Sequence, residues 1–556
     1  MIFKEIGKKY SHIKRYRQIV ELLIKHGFGY LVEIMELDQF VPLTKKIKDL
    51  SGKRDPKECR AERARKILEE LGPTYVKMGQ LLSTRPDLIP RSYIEELEKL
   101  QDDVKQMDYD DVKWVIEKEL GGEVNEVFKR INPKPLASAS IGQVHKAILN
   151  SGEEVVVKVQ RRGIERVIGV DLEIISNLAK ILENKVFKGD FVSPVEVVKN
   201  FSSMIKQELD YRVEGRNTRK FRQRNIDDHN IKVPKIFWDL TQKRVLTMEF
   251  IKGYNINQVK NKEREEQLAQ IISESFMKQV LIDGFFHGDP HPGNIIITED
   301  FKVGLIDFGL IGQLSDEDKE SVATFFISLV KKDMDKAVDE LLDLGVVTQE
   351  IDEKNLKRDL YKTVDDYYGI TLEEVELKGV MNHFLDLVFK YKIRLPIEFI
   401  LLVKSLITIE GVVSTINPKF DILEVAKPFV HKLIKRRLNP KRLLLNFVDD
   451  LDNFTKNLKD LPEGINHLLR MIEDDNLKIK FHHTGIKPLI SKMDIITNRI
   501  SIALIVSALI IGSSLIMLTD KEPTLLEFPI IGISGYLIAV VLGIWLVISI
   551  IRSGRF

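Results

Sequence analysis

Cysteine is almost absent from this chain: among 556 residues the only one is Cys59. A single thiol excludes an intrachain disulfide and favours a reducing compartment. Cys59 lies in the charged segment 53–65, which contains no histidine that could activate it as a nucleophile. The sequence therefore argues against both a disulfide-stabilised fold and cysteine catalysis.

Other features are also scarce. The formal net charge is only +2, so no basic field favours nucleic acid as a partner. The N-terminus lacks the long apolar run of a secretory signal, and no fixed-period repeat or low-complexity tract is present. The length allows about two to four domains with a large buried core.

Two long apolar runs, 500–518 and 528–551, lie near the C-terminus, and each reaches the roughly 20 residues that cross a bilayer. An acidic connection separates them, and basic residues flank both outer ends: Lys492, Arg499, Arg552 and Arg555. This predicts a transmembrane hairpin in the cell membrane, with both termini and the catalytic domain cytoplasmic. Two buried core helices are the alternative. Gly532, Gly535 and Gly543 favour close helix packing, either within the hairpin or between two copies of the chain.

The segment 287–294, His-Gly-Asp-Pro-His-Pro-Gly-Asn, is followed after an apolar run by Asp-Phe-Gly at 307–309. This spacing is typical of phosphoryl-transfer sites, in which one Asp orients the nucleophile while an Asn and a second Asp hold Mg²⁺. We assign these roles to Asp289, Asn294 and Asp307, in that order. Two alternatives are open: a simple turn rich in Gly and Pro, or a transition-metal site made by His287, Asp289 and His291.

Upstream, two strand-like runs around the turn 150–152 predict a β-hairpin. The second run ends in Lys158, which matches the lysine that contacts nucleotide phosphates. Small residues before the first run would let backbone N–H groups approach the phosphates. The candidate nucleotide-binding residues of this loop are Ala137, Ser138, Ala139, Ser140, Ile141, Gly142, Gln143 and Val144.

Lys158 needs an acidic partner on a helix, and the segment 207–217 is the best candidate. We predict Glu208 as the ion-pair partner and Glu214 as a second polar residue of the site. A solvated helix with internal charge pairs is the alternative. Glu249 ends a strand that runs into a linker, where backbone groups would meet the adenine.

Two further helices bear on the site. Pro73 starts one that presents Lys77 and Gln80 on the same face, which from physics alone is typical of a packed helix with a solvated lysine. The apolar segment 398–413 carries Lys404 and Glu410, and we interpret it as a buried core helix. The basic N-terminal helical segment suits either an anionic membrane surface or solvent.

Together these motifs resemble the UbiB family of atypical kinases in the protein-kinase-like superfamily, and the resemblance covers nearly the whole chain. The specific matches are the segments 77–80, 137–145, 208–211 with Glu214, and 287–294. The resemblance implies an α+β, bilobal protein-kinase-like fold with an N-terminal helical extension and a C-terminal transmembrane hairpin. The expected domains are the extension (1–110), the N-lobe (111–252), the C-lobe (253–495) and the hairpin (496–556).

The resemblance also implies function. Lys77 and Gln80 would fold over the nucleotide site as regulatory residues, and Ala137 and Ala139 would stiffen the phosphate loop. ATP or ADP with Mg²⁺ would be the cofactors of an atypical kinase or ATPase that supports isoprenoid quinone (ubiquinone-type) or related lipid synthesis. Expected partners are membrane lipids, quinone precursors and lipid-biosynthesis proteins. The alternatives are a small-molecule or lipid phosphotransferase with an open cleft, and a nucleotide-gated lipid-handling scaffold.

Overall fold

The computed structural model describes residues 2–37, 40, 59–85, 88–100, 106–187, 193–259, 262–331, 333–347, 352–366, 377–437, 486–518, 524–525 and 528–552. The chain divides into two units, Met1–Leu444 and Leu445–Phe556. The first unit contains both kinase-like lobes, and the second contains the apolar C-terminal helices.

The helices are α1 (Ile2–Lys25), α2 (Gly29–Ile34), α3 (Arg60–Leu71), α4 (Pro73–Ser83), α5 (Arg91–Leu97), α6 (Tyr109–Leu120), α7 (Val124–Val127), α8 (Ile164–Lys185), α9 (Pro194–Glu208), α10 (Tyr211–Arg224), α11 (Lys262–Met277), α12 (Asp316–Lys331), α13 (Met334–Leu344), α14 (Glu353–Asp366), α15 (Leu377–Lys390), α16 (Ile397–Ile416), α17 (Ile422–Arg437), α18 (Ile486–Met517) and α19 (Ile530–Arg552).

The strands are β1 (Phe128–Ile131), β2 (Ala137–Ser138), β3 (Gly142–Leu149), β4 (Glu154–Gln160), β5 (Ile231–Lys232), β6 (Val245–Glu249), β7 (Gly253–Asn255), β8 (Phe285–His287), β9 (Ile295–Thr298), β10 (Val303–Leu305), β11 (Ile311–Gln313), β12 (Val346–Val347), β13 (Ile393–Arg394), β14 (Thr524–Leu525) and β15 (Phe528–Pro529).

The N-terminal extension is helical, as predicted, and packs on the first lobe. Gly72 adopts a left-handed φ of +92° between α3 and α4, and Pro73 occupies the first turn of α4, where its missing N–H costs nothing. Tyr75 of α4 is buried in one apolar cluster with Ile168 and Ile175 of α8. The extension is therefore part of the same core as the first lobe.

The sheet of the first lobe has the order β1-β3-β4-β6, with β2 paired to β3. Side chains alternate between the two faces of a strand. Val155, Val157 and Val159 of β4 are buried in the cluster on the α6 side, whereas Val156 belongs to the cluster formed with α8, α9 and α10. Lys158 shares the face of Val156. The predicted hairpin is confirmed, and it delivers Lys158 to the side of the sheet covered by α10.

The second lobe is mainly helical around one large apolar cluster. Helix α16 contributes many of its buried side chains: Phe399, Ile400, Leu401, Leu402, Ser405, Leu406, Ile409, Val412 and Val413. The prediction of a core helix at 398–413 is therefore confirmed. Strands β9 and β10 pair antiparallel with Leu305 opposite Ile295, so Asn294 before β9 and Ile306 after β10 lie at the same end of the pair.

Helices α18 and α19 pack against each other in the second unit, with the short β14–β15 pair between them. Gly535 lies against the Ser513 hydroxyl and Gly532 against Met517, so these glycines serve the contact within the hairpin. In the part of the chain that the structure describes, three helical segments are long and apolar enough to cross a membrane: Ile397–Ile416, Ile500–Met517 and Ile530–Val547. The first of these is 50% buried inside the chain, against 6% and 11% for the other two.

Candidate active site

Lys158 is the centre of a buried charge cluster between the two lobes. Its ammonium donates to Glu214 Oε1 and, at 2.9 Å, to Asp307 Oδ2. Lys158 is 12% exposed and Glu214 9%. Burial works against the Lys158 charge, but Asp307 and Glu214 outweigh it and raise the pKa of Lys158 above its ordinary value. The lysine is therefore a permanent cation between two carboxyl groups.

The two carboxyl groups that contact Lys158 have pKa values shifted in opposite directions. Burial raises the pKa of Glu214 to about 7, although Lys158 pulls in the opposite direction. Burial also opposes the ionisation of Asp307, but Lys158 and the Gly309 N–H outweigh it, and the pKa of Asp307 falls below its usual range. Asp307 is also 44% exposed. It is thus the carboxylate of this pair that is ready to take a hard cation.

The ion-pair partner of Lys158 is Glu214, so the prediction of Glu208 is wrong. The prediction treated 207–217 as one continuous helix. In the structure α9 ends at Glu208, and Asp210 caps a new helix by accepting the N–H of Arg212 at 3.1 Å. The break reorients the chain. Glu208 then faces the extension and binds Lys77 Nζ at 2.7 Å.

Asn294 and Asp307 come together through the pairing of β9 with β10. Ile306 N–H donates to the Asn294 carbonyl at 3.2 Å, so the residues that flank these strands lie side by side at one end of the ladder. The Asn294 amide Nδ2 donates to the Asp289 carbonyl at 3.0 Å. Its Oδ1 thus remains an acceptor for a metal ion.

The two histidines of the segment 287–294 support its backbone. His287 Nδ1 accepts the Asp289 N–H at 3.1 Å, and His291 Nδ1 accepts the Gly293 N–H at 3.0 Å. Burial lowers the pKa of His287, which also packs against the ring of Phe308. Within the described ranges, no group of three His, Cys, Asp or Glu side chains is placed to hold a metal ion. The structure thus gives the transition-metal alternative no support.

One contact of Asp289, the candidate catalytic aspartate, was not predicted from the sequence. Lys404 Nζ lies 3.3 Å from Asp289 Oδ1. One turn earlier on the same helix, α16, Leu401 packs so closely on Gly288 that an added Cβ would meet it at 2.8 Å. The one lysine of a largely apolar helix was the available signal, since an apolar stem packed on the core leaves a polar head that needs a partner.

The alanine-rich loop is tied down by hydrogen bonds on its side chains and backbone. Ala139 N–H donates to the Gly142 carbonyl at 2.8 Å, which closes the loop. Arg161 donates to the Ala139 carbonyl at 3.1 Å and to Ser138 Oγ at 3.0 Å. The buried hydroxyl of Ser140 has no hydrogen-bond partner within the described part of the chain. A buried hydroxyl without a hydrogen bond is unfavourable, so the Ser140 hydroxyl indicates that an additional partner binds at this loop.

Buried side chains at the C-terminal end of the loop anchor it to the first lobe. Gln143 is buried and donates to Ser138, and its Oε1 lies 3.2 Å from His145 Nε2. Ile141 is buried, and Val144 packs beside it in the cluster that includes α8 to α10. These side chains anchor the loop, so contacts to a nucleotide would come from its backbone N–H groups. Gly142 has no space for a side chain, because a Cβ would meet Tyr211 Oη at 2.4 Å and the Val159 carbonyl at 2.7 Å.

The Glu249 side chain faces away from Lys158, and the predicted adenine contact of the backbone at this position stays a prediction. Glu249 pairs with Val155 across the sheet, which puts its side chain on the face opposite to Lys158. There its carboxylate binds Lys232 Nζ at 2.6 Å and accepts the Lys235 N–H at 3.0 Å. Only the backbone at this end of β6 is left for an adenine. Gln80, which the resemblance placed over the nucleotide, donates to the Leu100 carbonyl at 3.3 Å.

Comparison with known proteins agrees with this geometry. The sequence model described as ABC1 atypical kinase-like domain matches residues 99–341, the UbiB helical domain matches 360–421, and the ABC1/UbiB kinase-like C-terminal domain matches 484–552. A protein named probable protein kinase UbiB from Marinobacter nauticus is 33% identical over 75% of this chain and 78% of its own length. The chain belongs to the ABC1/UbiB family of atypical kinase-like proteins.

Other ABC1/UbiB relatives extend the match. An uncharacterised protein encoded in the hydrogenase 1 5′ region of Clostridium pasteurianum is 35% identical over 98% of this chain and 100% of its own length. The chloroplastic protein named ACTIVITY OF BC1 COMPLEX KINASE 3 of Arabidopsis thaliana is 34% identical over 68% of this chain and 54% of its own length. The resemblance inferred from the motifs and the bilobal kinase-like fold are both confirmed.

The residues of this ABC1/UbiB site fit a magnesium-bound nucleotide. Asn294 and Asp307 offer the oxygen ligands that Mg²⁺ prefers, and Lys158 offers a fixed positive charge beside them. The loop 137–142 adds backbone donors and the Ser140 hydroxyl, to which no described residue forms a hydrogen bond. A cation, two oxygen ligands and a donor-rich loop are the parts that phosphate chemistry requires.

Proposed function

We propose that this chain is a membrane-anchored atypical kinase or ATPase that binds a magnesium nucleotide in the cleft around Lys158. The observation that carries the proposal is the contact of Lys158 with both Glu214 and Asp307. This arrangement links a strand of the first lobe to the metal-binding segment of the second. Bound Mg²⁺ would supply charge neutralisation at the phosphates.

The protein side chains have separate tasks in this proposal. Lys158 binds phosphate oxygens, and Glu214 keeps it extended toward them. Asn294 and Asp307 hold the metal ion, while Asp289 orients the attacking water or hydroxyl group. Lys404 holds the Asp289 carboxylate through an ion pair at 3.3 Å. The catalytic contribution of the chain is thus the fixed position of a few charges.

The ion pair between Lys77 and Glu208 supports a covered cleft over an open one. Glu208 ends α9, and the chain leads from there directly into α10, which carries Glu214. Lys77 on α4 therefore sits close to the site, where a large substrate would need space. A small acceptor such as water suits this arrangement better than a protein chain. An open-cleft phosphotransferase, the alternative, would need α4 to move away.

The C-terminal helices support the proposed membrane anchor. The apolar windows of α18 and α19 are almost entirely unburied within the chain, and apolar surface of this length is typical of bilayer-spanning helices. Family membership motivates the proposed role in isoprenoid quinone or related lipid synthesis. A nucleotide-gated scaffold that handles lipids is the remaining alternative, and the complete set of Lys158, Asp289, Asn294 and Asp307 favours an enzyme over it.

The test uses the full-length protein in detergent and its Asp307→Asn variant. We expect Mg-ADP and Mg-ATP to raise the melting temperature of the parent protein but not that of the variant. Asp300→Asn is the matched control, because Asp300 is an exposed aspartate in the turn before β10, bound to Lys302 at 2.8 Å. Equal stabilisation of Asp307→Asn and the parent would refute the metal assignment.

A second measurement separates the enzyme from the scaffold. Phosphate release from Mg-ATP is followed with and without an isoprenoid lipid in the same detergent. The proposed function predicts release that is lost in Asp289→Asn while nucleotide-dependent stabilisation is kept. Nucleotide binding without any phosphate release in either condition would favour the scaffold.

A further inference from the structure

Asp171 is a buried acidic residue that the chemistry of the cleft does not use. Within the described residues, Asp171 and Glu214 are the two buried acidic side chains, and Asp171 is only 1% exposed. Glu214 has its role beside Lys158. Asp171 lies instead on α8, and a charge in the interior needs specific partners to be tolerated.

The partners of Asp171 come from two other elements. Arg15 of α1 binds both of its carboxylate oxygens, through Nε at 2.7 Å and through a terminal nitrogen at 3.0 Å. The hydroxyl of Thr74, in the first turn of α4, donates to the same carboxylate at 2.7 Å. Arg15 also donates to the Leu71 carbonyl at 2.6 Å, where α3 ends. We call these four residues the Asp171 hub.

The hub fixes one end of the helix that reaches the cleft. Thr74 and Lys77 are one turn apart on α4, and Lys77 binds Glu208 at 2.7 Å. Next to Thr74, the Tyr75 ring is buried with the Arg15 guanidinium 5.3 Å from its centroid. The N-terminal turn of α4 is therefore held by the Thr74 hydroxyl on a carboxylate that Arg15 fixes in a bidentate ion pair between α1 and α8. The contact of Lys77 with Glu208, in contrast, is a half-buried pair. A bidentate pair is geometrically restrictive.

We propose that Asp171 is a positioning residue for α4, and that Arg15 ties α1 to the same carboxylate. The hub keeps Lys77 on Glu208 and so keeps α4 over the cleft. Loosening the hub lets α4 move, and nucleotide then enters and leaves faster. This inference rests on the proposed nucleotide site, and it assigns control of access to that site to residues outside it.

The experiment uses the full-length protein and the variant pair Thr74→Val and Thr74→Ser. Valine has nearly the shape of threonine but lacks the hydroxyl, and it leaves the Arg15–Asp171 pair intact, so the variant is expected to fold. Serine keeps the hydroxyl and serves as the rescue. Asp171→Asn is the stronger perturbation of the same hub. Lys25→Met is the matched control, because Lys25 joins α1 to Glu70 of α3 at 2.7 Å without touching Asp171.

Two quantities are measured. Hydrogen exchange of the backbone amides in 73–83 should rise in Thr74→Val and Asp171→Asn and stay at the parent level in Thr74→Ser and Lys25→Met. Stopped-flow dissociation of a fluorescent Mg-nucleotide should accelerate by at least about fivefold in the first two variants, as for a typical coupling between sites. Lys77→Met should show the same acceleration, and Thr74→Val should add nothing to it.

The outcomes are distinguishable. Unchanged exchange in α4, or faster exchange without faster nucleotide release, would overturn the positioning role while leaving the nucleotide site intact. Additive acceleration in the Lys77→Met, Thr74→Val double variant would also overturn it, since the hub would then act by another route. If the parent protein binds no nucleotide, the proposed function fails, yet the exchange measurement still reports whether the hub holds α4.

Discussion

Replacing Glu214 by glutamine tests the identity of the residue that holds Lys158. The change removes a charge and keeps the shape of the side chain. Asp307 would then be the remaining carboxylate on a lysine that is only 12% exposed. Lys158 would be drawn to Asp307 and would compete with Mg²⁺ for it, so we expect weaker binding of Mg-nucleotide.

The size of this effect follows from the burial of the pair. A hydrogen bond to a charged, buried group contributes about 1.5–3 kcal/mol, which corresponds to a roughly 10- to 150-fold weaker Kd. Glu208→Gln removes a different pair, with Lys77, whose members are 21% and 32% exposed. Partly exposed pairs contribute about 0.2–1 kcal/mol, which predicts less than a roughly fivefold change.

Titration of a fluorescent nucleotide in excess Mg²⁺ measures both variants, and their melting temperatures confirm folding. Glu196→Gln is the control, because Glu196 is on the same helix as Glu208 but binds Arg394 at the surface. A loss of affinity in Glu208→Gln as large as that in Glu214→Gln would refute the assignment of Glu214 as the partner of Lys158.

Three further predictions follow from other contacts. Lys404→Met should lower kcat for phosphate release by about tenfold with little change in nucleotide Kd, because it removes a charged hydrogen bond to Asp289 and no contact to the metal ligands. Lys419→Met removes an exposed lysine just after α16 and should change neither kcat nor the nucleotide Kd. Gly142→Ala should destabilise the protein by about 1–3 kcal/mol, since the Cβ would meet the Val159 carbonyl at 2.7 Å, whereas Gly169→Ala in α8 has open space and should be neutral or slightly stabilising in the same thermal assay. Burial lowers the pKa of His145 below its ordinary value of 6.5, although the Asn132 carbonyl favours the protonated ring. The unfolded chain therefore takes up the proton first, and the melting temperature should fall as the pH drops below about 6.5. His145→Gln should flatten this fall, and the exposed His229→Gln should not.

Local patterns were enough to predict most of the elements that build the cleft. Residues 287–294 and 306–309 indicated phosphate chemistry because that chemistry needs Asp and Asn at set spacings in a short segment. The hairpin carrying Lys158 and the break at Gly72–Pro73 were also readable, since turns and helix starts depend on neighbouring residues. The apolar pair of C-terminal helices needed only length and composition.

Side-chain partners across the fold were harder to predict. Glu208 and Glu214 differ little in sequence context, and the choice between them depends on a helix break that Asp210 caps. The face on which the Glu249 side chain lies is likewise set by the register between β4 and β6, which depends on the folded sheet. The contact of Lys404 with Asp289 was not predicted, because Lys404 lies in a helix whose pattern indicates only core packing.

The chain thus carries its chemistry in short motifs, which depend on covalent spacing and are visible without coordinates. Which charges meet, however, depends on how α4, α10 and α16 pack around the sheet and the segment 287–294. Arg15, Thr74 and Asp171 are far apart along the chain, and only the packing of α1, α4 and α8 brings them within hydrogen-bonding distance. Electrostatic contacts act over a few ångströms, so these pairings arise only once the helices are in place.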